Sequence, residues 1–362
     1  MKKLLALLLI ASFGGFWGCS DDPEKEEAKI DPVKTYEQLK TEANTSMETV
    51  FASMSQANVT DPVQLGDFDF DSPRKLYEEL KSQRPDDKDV RVSLAMCQML
   101  SLYRDPVFKV FLIQLNENGV FSVQNSDIPL SLGFVPFNIG SVLSQEMMIN
   151  SMSLMIKKGA KNPDDVVLLQ TYFLTKIIPQ ISQSIENFEF VEKSTGFEYQ
   201  YALTGKMMGF PALPSQYMDN TEFYLMDAYL EYLRSILSMY CMIDFKNSDF
   251  TGVDVDSLPP FDPKNPDITP YLFVTQKVKL RSDGLVNGRV FVNGQLNSTR
   301  DIISSLLYLQ SEYDNQQDDV IKKNPELSNQ KIFELILTAQ AGLARLEELL
   351  GPVLAMLLTY RP

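Results

Sequence analysis

A mainly α-helical body, built as an irregular helical array, is expected for this 362-residue chain from three features. Apolar residues recur at helical spacing over long windows, as at Tyr36, Leu39, Ala43, Met47, Val50, Phe51 and Met54. Proline and aspartate punctuate those windows where helices would start and stop, as in Asp71-Ser72-Pro73 and Arg84-Pro85-Asp86-Asp87. Strand-like alternation is confined to one ambiguous stretch, 272–296. There Phe273, Thr275, Lys277 and Val278 alternate, and Asp283-Gly284 suits a hairpin turn. With 44% hydrophobic residues the chain has the material for a core.

Taken in order, the chain opens on Lys2 and Lys3, followed by an apolar run from Leu4 to Ala11. Phe16-Trp17-Gly18-Cys19 then sits where a signal peptidase would cut, so residues 1–18 read as a signal peptide. The apolar run is shorter than the roughly 20 residues that span a bilayer. Residues 19–33 begin Cys19-Ser20-Asp21-Asp22-Pro23-Glu24-Lys25-Glu26-Glu27, the acidic composition of a flexible tether. A first helix is expected over 34–56. Asp71-Ser72-Pro73 reads as a cap with proline in the first turn, giving a helix from Pro73 to about Gln83 and a second from about Asp87 to Leu102. Residues 115–141 hold Gly119, Pro129, Gly133, Pro136 and Gly140 among apolar neighbours and read as a packed loop.

Helices follow at 142–157 and 165–190, the latter kinked by Pro179. The clearest helix is 221–244. Asn220 is its candidate cap, and Met226, Tyr229, Leu230, Leu233, Ile236, Leu237 and Tyr240 form a broad apolar face. Five prolines between Pro259 and Pro270 enforce extended or turn structure. Residues 247–270 are therefore drawn as a proline-rich connection between a helical domain, 34–246, and a C-terminal helical segment, 271–362. The other reading makes them a long loop over one continuous array. Helices at 298–313 and 328–359 complete the chain. Gly351-Pro352 interrupts the last, after which Val353 to Leu358 is nearly all apolar and must bury against the body or a partner.

The N-terminal layout resembles a bacterial lipoprotein signal, with Gly18 and Cys19 matching the end of the lipobox and Phe16 and Trp17 departing from its small residues. The resemblance implies cleavage before Cys19 and acylation of that cysteine by two or more chains, a durable membrane anchor. The other reading is a secretory peptide cut near Gly18, leaving Cys19 a free thiol. The serine-plus-acidic run after Cys19 resembles the signals that route some lipoproteins to the cell surface, so the expected place is the cell envelope, on the outer membrane or cell surface. A second resemblance lies in the body. Leu76, Tyr77 and Leu80, then Arg84-Pro85-Asp86-Asp87, then Val90, Leu94, Ala95, Met96 and Leu100 resemble a tetratricopeptide helix-turn-helix. Lys158-Gly159-Ala160-Lys161-Asn162-Pro163-Asp164-Asp165, followed by Val166, Leu168, Leu169 and Tyr172, is a fainter echo. The likeness covers about 70 residues and implies helix pairs whose grooves receive a peptide or partner helix.

The formal charge is −15, and losing residues 1–18 removes two lysines and no acid, leaving −17. Nucleic acid would repel such a body, so no nucleic-acid partner is expected. The chain contains no histidine, which excludes Ser-His triads, Cys-His pairs and imidazole-bound zinc. The phosphate-cradling Gly-x-x-x-x-Gly-Lys and Gly-x-Gly-x-x-Gly patterns are absent as well, and no cofactor is expected. A carboxylate-driven hydrolase needs only two suitably spaced acids, and 48 acidic residues give no means of choosing them.

Four groups of residues stand out chemically. Cys97 and Cys241 lie in apolar, methionine-flanked stretches, either as buried thiols or, if their helices face, as a disulfide. Asp67, Asp69, Asp71 and Glu78 have the acidic spacing of a calcium-binding loop. Ser72 replaces the turn glycine and Pro73 follows it, so the other reading is a helix cap. Tyr217, Phe223, Tyr224, Tyr229 and Tyr232 concentrate aromatic faces that would stack on a sugar ring if exposed and pack as core if buried. Met147-Met148 and Met207-Met208 read as core filling. The function expected from all this is a non-catalytic, membrane-tethered binding or scaffold protein with an envelope protein partner. A solute- or glycan-binding lipoprotein serving uptake is the alternative.

Overall fold

The computed structural model describes residues 34–57, 62–117, 163–195, 199–208, 210–249, 279–312, 320–321 and 327–359. The chain divides into Met1–Thr35 and Tyr36–Pro362, and all the elements belong to the second unit. They are α1 (Tyr36–Gln56), a 3-10 turn (Pro62–Asp67), α2 (Asp71–Gln83), α3 (Lys88–Ser101), a 3-10 turn (Leu102–Arg104) and α4 (Pro106–Glu117). Then come α5 (Pro163–Tyr172), a π-helical turn (Phe173–Ile177), α6 (Ile178–Thr195), strands β1 (Tyr201–Leu203) and β2 (Gln216–Met218), α7 (Asn220–Met242), α8 (Gly284–Ser311) and α9 (Asn329–Thr359). The described body is mainly α, with one antiparallel strand pair in which Ala202 lies opposite Tyr217. Packing follows chain order: α1 on α2, α2 on α3, α3 on α6, α6 on α7, α7 on α8, and α8 on α9.

The first helix buries the expected stripe of Tyr36, Leu39, Ala43, Met47, Phe51 and Met54. Its wet face is self-bonded. Thr41, Thr45, Thr49 and Ser53 each donate to the carbonyl four residues back, at 2.8 or 2.9 Å. Asp87 then fixes the approach of α1 to α3. As N-cap of α3 it accepts the Val90 N–H on Oδ1 at 3.1 Å, and on Oδ2 it accepts Tyr36 Oη and Lys40 Nζ, both at 2.8 Å. α2 starts at Asp71, two residues before the expected Pro73. Two elements went unassigned from sequence. α4 is set by Asp105, whose Oδ1 accepts the N–H groups of Val107 and Phe108 at 3.0 and 2.9 Å just ahead of Pro106. The other is the β1–β2 pair.

The kink expected at Pro179 takes the form of the π-helical turn immediately before it. Proline lacks the N–H that would bond residue 175 and its ring crowds that carbonyl, so a widened turn upstream absorbs the mismatch. Next, α7 is capped by Asp219, not by Asn220. Asp219 Oδ1 accepts Thr221 N–H at 2.7 Å while Glu222 Oε2 accepts Asp219 N–H at 2.9 Å, a reciprocal capping box. Of the 23 residues in α7, 20 are buried, which makes it the central helix rather than a one-faced one.

The expected helix at 298–313 begins far earlier, at Gly284, and Asp283-Gly284 opens α8 instead of turning a hairpin. A polar seam explains this. Asn287 donates to the Cys241 carbonyl, Gln295 to Ser235 Oγ, Ser298 to the Ala228 carbonyl and Ser305 to the Thr221 carbonyl. α8 therefore runs antiparallel along the whole of α7. The approach is close: a Cβ on Gly284 would lie 2.5 Å from the Met242 carbonyl oxygen, and one on Gly294 2.9 Å from that of Glu231. The proline-rich connection drawn at 247–270 lies, from residue 250 on, outside the described residues. Described residues on either side of it meet, since Lys279 N–H bonds Ser248 Oγ at 2.8 Å and Asp244 N–H bonds the Lys279 carbonyl. The expected interruption at Gly351-Pro352 is not found, as α9 runs on to Thr359. The signal, the tether, the packed loop beyond residue 117, the 142–157 helix, Met147-Met148, and the alternating 272–278 stretch lie outside the described residues.

Candidate functional site

Cys19, the proposed lipidation site, lies outside the described residues. The four acids with calcium-like spacing are each paired with a cation. Asp67 faces Lys109 at 3.4 Å, Asp69 pairs with Arg104, and Asp71 and Glu78 share Arg74 at 2.9 and 3.2 Å. Asp69 also accepts Ser72 Oγ at 2.6 Å, and that bond, followed by Arg104, holds its carboxyl below the usual range against the effect of burial. Because Asp71 already begins a helix, the four carboxylates do not converge. Among the described residues no group of three acids or thiols could hold a metal ion.

The aromatic group is mostly core. Phe223 is fully buried and stacks on Phe188 and Tyr199, at ring separations of 6.3 and 6.0 Å. Tyr229 is buried with its hydroxyl 2.5 Å from that of Tyr103. Tyr232 is buried, and its hydroxyl has no hydrogen-bond partner among the described residues. Only Tyr217, on β2, and Tyr224 are half-buried. These rings do not line a shared sugar-stacking surface. Met207 also packs into the core and Met208 against it. Cys97 and Cys241 are both free, buried thiols, and burial pushes the Cys241 thiol up to about 12.

The chemically unusual place is one that sequence reasoning missed, a knot of carboxylates where α6, α7 and α8 meet. Ser298 Oγ donates to the Ala228 carbonyl at 2.6 Å and Asn297 Nδ2 to Glu231 Oε1 at 3.4 Å. Those bonds lay Asp301, one turn past Asn297, along Asp227 and Glu231 of α7. The Phe188–Phe223 stack likewise brings Glu189 and Glu192 of α6 alongside. Asp227 and Glu231 are only 3% and 2% exposed, whereas Glu192 and Asp301 are half-buried at the rim.

Glu231 is answered. Both its oxygens lie 2.6 Å from Arg234 Nη2. Asp227 Oδ1 and Glu192 Oε1 are closed to solvent with no hydrogen-bond partner among the described residues, as is Arg234 Nε. Burial, and after it the charges of Glu192, Asp301, Glu231 and Glu189, hold the Asp227 carboxyl well above the usual carboxylate range. Burial followed by Asp301 and Glu189 pushes Glu192 up to about 8, and burial followed by Glu231 and Glu189 pushes Asp301 up to about 7. The pattern behind this was visible as two acids one turn apart, Asp227 and Glu231, inside an otherwise apolar helix. The partners from α6 and α8 needed the fold.

Compared with known proteins, the chain matches no family model, no curated protein and no solved structure.

Proposed function

We propose that this chain is a lipid-anchored protein of the bacterial cell envelope, acylated at Cys19 and held on the outer membrane or cell surface. Its helical body binds a partner protein as a non-catalytic scaffold, with no cofactor and no nucleic acid involved. The anchor is supported by the order of residues 1–27: basic pair, apolar run, Gly18-Cys19, then an acidic tether. No helix among the described residues is long and apolar enough to cross a membrane.

The binding half rests on one observation, the outer face of α9. Phe333 and Leu337 sit one helical turn apart and are 51% and 49% exposed, while Ile332, Leu335, Ile336 and Ala339 of the same helix are buried against the body. Two large apolar side chains adjacent on the outside of a terminal helix suit a partner helix laid alongside. The reading of the α2–α3 hairpin as tetratricopeptide-like is consistent with such a use.

The anchor is tested by expressing the full chain and its Cys19→Ala variant in a bacterium that processes lipoproteins, with labelled palmitate. Label on the parent, membrane recovery of the parent, and loss of both in the variant are the expected results. An unlabelled parent released as a soluble protein would refute the anchor.

A further inference from the structure

We propose that the α6–α7–α8 junction is a proton-held latch: it stays closed while protons are retained among Asp227, Glu192 and Asp301, and it loosens when they ionise. Geometry carries the argument. Asp227 and Glu231 of α7 are 3% and 2% exposed. The Asn297–Glu231 and Ser298–Ala228 bonds bring Asp301 of α8 to the same stretch, and the Phe188–Phe223 stack brings Glu189 and Glu192 of α6 there, five carboxylates in all. The cations facing them number fewer. Arg234 is engaged by Glu231, Lys193 by Glu189 at 2.7 Å, and Arg300 by Glu347 of α9 at 3.2 Å. Among the described residues Tyr224 also faces Glu192, Asp301 and Asp227. Asp227 Oδ1 is left buried with nothing to bond among the described residues.

A buried, unpaired carboxylate costs several kcal/mol, and the usual escape is to take up a proton. A metal ion is a poor substitute, since the described acids are not gathered round a point that could hold one. A larger cation would have to reach an oxygen that solvent does not touch. The raised ranges of Glu192 and Asp301, about 8 and about 7, place the loss of the shared protons near neutrality.

The direction follows from linkage. Carboxyls raised in the folded state bind protons that the unfolded chain has already released above about pH 4. Their contribution to stability is present in full below that pH and is lost as pH rises through about 7 and 8. Between about pH 4 and those folded values the unfolding equilibrium constant climbs by at most about ten-fold per pH unit for each proton so held, and it levels off above about 8.

The test is the unfolding of the full chain between pH 5.5 and 9, from about 1.5 units below the lower value to about one unit above the upper, for the parent and for Asp227→Asn, Glu192→Gln and Asp301→Asn. A parent that loses stability as pH rises, with a shallower slope in each variant, is the expected result. Should Asp227→Asn fail to fold, the two rim variants still report the slope. Parent and variant curves that run parallel would overturn the latch. So would a parent rescued at pH 9 by calcium or magnesium with the rescue lost in Asp227→Asn, because that would assign the site to a cation.

Discussion

Asp87 illustrates how one side chain can set the relation of two helices. Its two oxygens cap α3, accept the Tyr36 hydroxyl and accept Lys40, so the start of α1 and the start of α3 share one anion. Burial pushes its carboxyl up, but Lys40, Tyr36 and the Val90 N–H outweigh that and leave it below the usual range. The stability it supplies is therefore present above about pH 4, its ordinary range, and is lost as pH falls through the depressed folded value. Asp87→Ala should cost about 1 kcal/mol from the cap alone, and Asp87→Asn should keep the cap while losing much of the Lys40 pairing. Denaturant titration of the two variants at pH 7 and at pH 3 checks both statements. The difference between parent and variant should shrink at the lower pH. At this scale the sequence was informative wherever a residue acts on its own neighbours, as Asp87 does on Val90. It was silent where the meaning of a residue comes from another helix, as with Asp227, whose unpaired oxygen matters only because Glu192 and Asp301 are packed beside it.

Among the elements, α1, α2, α3 and α7 could be read from apolar spacing because each is a one-sided or wholly buried helix. Of these, α3 and α7 carry side-chain caps at Asp87 and Asp219, whereas α2 has Phe70 at its N-cap and no side-chain cap bond, so the cap expected at Asp71-Ser72 is not found. The length of α8 could not be read this way. Gly284 and Gly294 look like breakers in one dimension, yet a helix tolerates glycine where a neighbouring backbone approaches too closely for a Cβ. Gly294 gives the sharpest check, since a Cβ there meets both the Glu231 carbonyl oxygen and Ser235 Cβ at 2.9 Å. Gly294→Leu is expected to cost about 1–3 kcal/mol by overpacking the α7–α8 seam, and Gly294→Ala less. Equilibrium unfolding in urea would show it. An unchanged midpoint for the leucine variant would mean that the two helices are not so close. α4 carried a legible signal in Asp105-Pro106, a cap followed by proline at the first helical position. The strand pair had too short a run to show a period of two.

For the whole molecule, the main packing runs α1, α2, α3, α6, α7, α8, α9, and among the described elements α9 packs chiefly on α8. Phe333 and Leu337 of α9 remain exposed. Replacing them should spare the fold, because their helix is held by Ile332, Leu335, Ile336 and Ala339 on its other side. Phe333→Ser with Leu337→Ser is accordingly expected to unfold within about 0.5 kcal/mol of the parent, as surface substitutions do. The proposed anchor and the proposed binding face together describe a tethered scaffold, and the measurement that tests this proposal most directly is crosslinking of the full chain in its native envelope. Co-purified proteins would be identified by mass spectrometry for the parent and for the Phe333→Ser, Leu337→Ser variant. The account predicts a discrete protein joined to the parent through α9 and missing from the variant. A parent recovered alone, or a partner captured equally by both, would contradict it.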